Sequence, residues 1–102
     1  MKNVDIEKLA KRAGQAASAE AVYLFGSQAT GLASADSDFD FALILEDSAD
    51  PWGAMLAAQR ALWPREISVD LAPISKRVWA TSQDSFVDSV RRNGRLLYKR
   101  DG

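Results

Sequence analysis

The segment from Asp38 to Glu46, DFDFALILE, constrains the fold of this chain more than any other. In an extended strand the two-residue period puts Phe39, Phe41, Leu43 and Leu45 on one face and Asp38, Asp40, Ala42 and Ile44 on the other. The aromatic and leucine face needs a covering layer, so the strand belongs to a sheet with a core packed against it. Ala21–Phe25 reads as a shorter strand, uniformly apolar and therefore buried on both faces. A third strand is expected over Glu66–Ala72, with Ile67, Val69 and Leu71 inward and Ser68, Asp70 and Ala72 opposite, closed by Pro73. Arg95–Lys99 forms the last.

Helices alternate with these strands. From Asp5 to Ala17 the apolar positions Ile6, Leu9, Ala10, Ala13, Ala16 and Ala17 make one stripe, with Lys8, Lys11 and Arg12 on the wet side. Asp50-Pro51 is a helix start, Asp50 as N-cap and Pro51 as the first helical residue. Its expected inner stripe is Trp52, Met55, Leu56 and Gln59, then Leu62 or Trp63, and Pro64 ends it. Ser75 or Thr81 caps a further helical stretch, clearest from Asp84 to Arg92 through Phe86, Val87 and Val90, which stops at Asn93-Gly94. Ser27–Ser37 is small and polar, a loop or a single helical turn. The resulting order, α-β-(turn)-β-α-β-α-β, predicts an α/β (α+β) fold, a small mixed sheet with helices packed mainly on one face. Its 102 residues suit a single domain, residues 1–102.

Composition narrows the chemistry. There is no cysteine and no histidine, which excludes thiol nucleophiles, Cys or His metal sites and Ser-His-Asp catalysis. Thirteen basic against fourteen acidic residues, net −1, argue against direct nucleic-acid binding. No apolar run approaches the ~20 residues of a membrane span, and the N-terminus has no signal-peptide pattern, so a cytoplasmic protein is expected. Carboxylates are left to carry the chemistry, and ten of the fourteen acids are aspartates.

Asp38 and Asp40 project from the same strand face, and Asp70 points to the same side from another strand. Taken singly, each is better read as a solvated or paired structural acid. Together, three converging carboxylates repel unless a cation lies between them, and an all-oxygen donor set suits Mg²⁺ or Mn²⁺. Two such ions can clamp the attacking and leaving oxygens of a phosphoryl displacement. Gly26-Ser27, ending the first strand, allows close approach of a phosphate to the backbone and adds a hydroxyl donor. The composite pattern is Gly26-Ser27-x10-Asp38-x-Asp40, with Asp70 on a later strand.

LFGSQATGLASADSDFDFALIL resembles the signature of the minimal nucleotidyltransferases, small members of the polymerase-β-like nucleotidyltransferase superfamily. The likeness extends to Val69-Asp70-Leu71 and the terminal Leu96-Leu97-Tyr98. It implies a nucleotidyltransferase fold that binds Mg²⁺ (or Mn²⁺) and ATP and moves AMP to an acceptor. Asp38, Asp40 and Asp70 would be the catalytic metal ligands, Asp70 also orienting or deprotonating the acceptor hydroxyl, and Gly26 and Ser27 would hold the triphosphate. Many relatives carry basic residues where this chain has Gln28 and Thr30; Lys76, Arg77 or a partner chain are candidate replacements for that charge. Without an acceptor-binding domain, the family likeness implies an antitoxin that adenylylates a tyrosine of a HEPN-type ribonuclease toxin. The alternative is a non-catalytic module that neutralises its partner by binding, favoured by Gln28, Thr30 and the tryptophans Trp52, Trp63 and Trp79. Core packing is the plainer expectation for Trp52 and at least one other. A nucleotidyltransferase acting on an antibiotic would be expected to carry the missing acceptor domain.

Overall fold

The computed structural model describes residues 5–26, 39–63 and 69–100. Helix α1, Ile6–Ala17, begins at Asp5, whose carboxylate accepts a hydrogen bond from the Lys8 amide at 3.0 Å. It ends at Ser18, in the left-handed region at φ 55°, whose amide bonds back into the last turn. The buried face is Ala10, Ala13, Gly14 and Ala17, while Ala16, expected in the stripe, is exposed. Gly14 lies against β4: a Cβ there would sit 2.5 Å from Tyr98 Cδ2 and 3.0 Å from Val22 Cγ2. Gly14→Val is expected to lower stability by about 2–3 kcal/mol, read as a lower urea midpoint at unchanged m.

Four strands form one mixed sheet: β1 Ala21–Phe25, β2 Phe39–Leu45, β3 Val69–Ser75 and β4 Arg95–Lys99, in the order β3-β2-β1-β4. β1 runs antiparallel to both β2 and β4, and β2 runs parallel to β3. A parallel pair needs a crossover, which α2, Pro51–Ala61, supplies between β2 and β3. Asp50 caps α2 by accepting from the Trp52 amide, with Pro51 at the first position as the sequence predicts. Pro73 does not close β3. The strand continues through it to Ser75, because β3 is an edge strand and a missing N–H is tolerated there. The expected start of that strand, Glu66–Ser68, lies outside the described residues. In β4 a register shift opposite Val22 and Tyr23 lets both Leu97 and Tyr98 pack on the same core.

The stretch after β3 forms two helices rather than one. α3, Lys76–Thr81, is capped by Ser75, whose hydroxyl accepts from the Val78 amide; α4, Ser85–Asn93, is capped by Asp84. The Arg91 guanidinium donates to the carbonyls of Trp79 and Ser82 and ties the pair together. α1 and α2 cover the face carrying Phe41, Leu43 and Leu45, where the larger core sits. The opposite face is not bare: α3 and α4 close part of it over Ala42, Ile44 and Ile74, with Val90 of α4 buried among them and Tyr23 and Trp79 in tilted contact at 4.6 Å.

The inner stripe expected for α2 holds at Leu62 but is overturned at Trp52 and Leu56. Ala54, Ala58 and Leu62 are buried, whereas Trp52, Leu56 and Trp63 are 73%, 50% and 72% exposed. The buried positions of α1 other than Gly14 are alanines, and only small residues on α2 allow the two backbones to approach closely. Trp52 is therefore not a core residue; of the three tryptophans only Trp79 is partly buried in packing.

At the far end of the sheet, Lys76 Nζ lies 3.0 Å from Glu20 and 3.8 Å from Glu46, and Glu46 also holds Arg100 at 2.8 Å. The hydrogen bond to Glu20 and the charge of that carboxylate, with Glu46 behind it, raise the Lys76 pKa above the ordinary 10.5. Because the folded value is raised, this contribution to stability is complete below 10.5 and is lost as pH climbs through the folded value. The Lys76 Nζ titration followed by NMR should have a midpoint above 10.5, and Glu20→Gln should bring it down. No described helix is long and apolar enough to cross a membrane.

Candidate functional site

β2 and β3 start side by side in parallel register, Phe39 opposite Val69 and Asp40 opposite Asp70. Phe39 and Val69 pack into the larger core, and strand alternation then forces both aspartates onto the other face. Adjacent strands are about 4.8 Å apart, so the two side chains spring from neighbouring points of the sheet. Asp70 is exposed and Asp40 half-buried. The sequence reading put these two carboxylates on a common side, and the register makes them direct neighbours.

A third strand end completes the arrangement. Phe25, the last residue of β1, is the antiparallel partner of Asp40, and Gly26 follows it. Gly26 has φ 77°, in the left-handed region, and a Cβ there would lie 2.5 Å from Asp40 Oδ2. The Asp40 carboxylate occupies the space that any side chain at position 26 would need. The structure thus brings together Gly26, Asp40 and Asp70. Ser27 and Asp38, with Gln28 and Thr30, lie outside the described residues.

Two adjacent carboxylates next to an uncovered glycine backbone form an all-oxygen donor set suited to a hard divalent cation. Among the described residues there is no group of three or more acidic side chains able to hold a metal. Asp40 and Asp70 fit Mg²⁺ or Mn²⁺ as two of the three ligands the sequence points to.

One neighbour of the site escaped the sequence reading. Phe86, on α4, meets Phe25 edge-on at 5.3 Å with the rings at 82°, and stays 43% exposed. Cross-strand pairing puts Phe25 on the same face as Asp40, so an aromatic wall stands beside the carboxylates. The helical period had assigned Phe86 to the core with Val87 and Val90; only those two are buried. The signal available beforehand was parity, since Phe25 shares its face with Tyr23 and not with Leu24.

Lys76 and Arg77 are excluded as the charge beside the aspartates. They follow β3, six and seven residues beyond Asp70, about 20 Å along the strand. Lys76 is held there by Glu20 and Glu46.

Residues 7–102 match the sequence profile of the family described as Polymerase beta, Nucleotidyltransferase. No curated protein sequence matches the chain. Among solved structures, a toxin–antitoxin crystallised with AMP-PNP aligns with a TM-score of 0.68 at 21% identity, covering 95% of this chain and 76% of its own. A Sulfolobus solfataricus protein assigned as a nucleotidyltransferase aligns at 0.62 and 22% identity, covering 93% and 81%. A mutant of the toxin–antitoxin MntA-HpeT, with two aspartates two positions apart changed to glutamate, aligns at 0.55 and 20% identity, covering 81% and 62%. At these identities the likeness is one of fold.

Proposed function

The chain belongs to the polymerase β nucleotidyltransferase family, and from that premise we propose that it transfers AMP from ATP to a protein hydroxyl in a Mg²⁺-dependent reaction. The observation that carries this reading is the pairing of Asp40 with Asp70 in register, beside a glycine that leaves room for the Asp40 carboxylate. Asp38, Asp40 and Asp70 hold the metal, Mg²⁺ or Mn²⁺, and Gly26 and Ser27 hold the triphosphate. When bound, the cation neutralises phosphate charge and favours departure of pyrophosphate. Asp70, exposed beside Asp40, orients the acceptor hydroxyl and accepts its proton. The acceptor oxygen bonds to the α-phosphorus as the bond to pyrophosphate breaks.

The partner in this reading is a HEPN-type ribonuclease toxin, and the protein is its antitoxin. The toxin–antitoxin neighbours of like fold support that setting, and one of them was crystallised with AMP-PNP. A cytoplasmic location fits the need for ATP, and the near-neutral charge fits a protein partner rather than nucleic acid.

A second reading, a module that neutralises the toxin by binding alone, is favoured by Gln28 and Thr30 where many relatives are basic, since neither carries the charge that binds phosphate bidentately. One experiment separates the two. The purified chain is incubated with its toxin and Mg-ATP, and toxin mass, pyrophosphate and ribonuclease activity are followed. Catalysis yields a toxin heavier by one AMP, with stoichiometric pyrophosphate and silenced ribonuclease. Silencing with unchanged toxin mass, retained by an Asp38→Asn/Asp40→Asn variant, makes the protein a binding module.

A further inference from the structure

α2 turns its three largest apolar side chains to solvent, and their arrangement is specific. Trp52 and Leu56 fall within about 40° of each other around the helix at 100° per residue, and Trp63 follows on the same side. Trp63 lies just past the helix end, and a 3₁₀-type bond from its amide to the Arg60 carbonyl at 3.2 Å holds it on the same side. With exposures of 73%, 50% and 72%, the three side chains leave on the order of 450 Å² of apolar surface in one stripe. An apolar stripe of that size is a candidate interaction surface.

From this stripe we infer that α2 is a homodimer interface, with a second copy of the chain packed antiparallel across it on a two-fold axis. The stripe is self-complementary in that orientation. Trp52 and Trp63 lie about three turns apart on one side of α2, so a two-fold axis midway between them sets Trp52 of each copy against Trp63 of the other. The charges are complementary too. Between Pro51 and Trp63 there is no acidic residue, and the single basic one, Arg60, is in the last turn. Arg12 adds a second cation at that end by donating to the Ala61 carbonyl. Exposed Asp47 and Asp50 sit at the other end. Antiparallel pairing brings the cationic end of each helix to the acidic end of its partner and opposes the two helix dipoles. Two copies of the stripe bury on the order of 900 Å², short of the roughly 1,000 Å² a specific interface clears until flanking residues add to it, so the dimer expected is a weak one. Tryptophans at its centre are the residue type that carries such interfaces.

The inference does not rest on the catalytic reading, and its test leaves that reading untouched. Light scattering on a sizing column, from about 1 to about 200 µM chain, should show mass rising from 11.1 kDa to twice that value. Trp63→Glu, at an exposed position, should weaken dimerisation at least tenfold with an unchanged circular-dichroism melt of the monomer. The chain has no cysteine, so Gln59→Cys, within the stripe, can be captured by a short bis-maleimide, whereas Arg92→Cys, on α4, should not be. A monomer at every concentration overturns the inference and gives the stripe to a different protein. A dimer indifferent to Trp63→Glu overturns it as well.

Discussion

Replacing Asp40 or Asp70 by asparagine should reduce nucleotide transfer by roughly 10³-fold or more and leave the fold in place. The substitution keeps size and one carbonyl acceptor but removes the charge that opposes the cation and the phosphates. Asp70 is exposed, so its stability change should stay within about 0.5 kcal/mol. Asp40 is half-buried and held in register with Asp70, so a modest cost in stability accompanies its larger functional one. Pyrophosphate release measures the loss of transfer, Mn²⁺ affinity by calorimetry the loss of metal binding, and a urea midpoint the change in stability. If both variants bind Mn²⁺ and turn over like the parent, the paired strand ends are not the site.

Gly26→Ala should damage the same site without touching a carboxylate. The new methyl would begin 2.5 Å from Asp40 Oδ2, so the carboxylate must move by about 1 Å to reach ordinary contact. A displacement of that size at a reacting centre costs on the order of 10²-fold in rate. The left-handed backbone at φ 77° adds a cost in stability of about 1–2 kcal/mol. Gly26→Asn separates the two causes, since asparagine tolerates the left-handed region but still has a Cβ. Loss of activity in both variants, assayed well below their melting temperatures, assigns the effect to the Asp40 contact. Recovery in the asparagine variant would assign it to the backbone alone.

Both expectations rest on features that were partly legible beforehand. The alternation of Phe39, Phe41, Leu43 and Leu45 with Asp40, Ala42 and Ile44 was enough to put the aspartate on the face opposite the leucines, because strand geometry admits only two faces. The same rule put Asp70 on that side. That the two stand opposite each other was not legible: parallel register depends on how α2 carries the chain back across the sheet, and nothing local to either strand sets it. Gly26 was legible as a turn residue, but its contact with Asp40 is made between strands.

Pro73 and Phe86 show the same division. Proline marked an end for β3 because a central strand cannot spare the N–H, and only the strand order reveals that β3 is an edge. Phe86 looked like core by period, but α4 presents it beside Phe25 instead, where it stays open to solvent.

By itself the sequence determined most of the helices and strands in the described chain, where α1 and α2 start, and that carboxylates are the candidates for its chemistry. It determined neither the run of β3 through Pro73 nor the break between α3 and α4. Caps, prolines and the two-residue period are local and act before any packing. Tertiary structure alone decided which way α2 faces. Apolar side chains surround that helix, so periodicity could not single out its buried face, and the stripe read from it was the outer one except at Leu62. Close contact with the alanine face of α1 selected Ala54 and Ala58 for the interior and left Trp52, Leu56 and Trp63 outside. Two backbones that approach closely have no room for an indole between them.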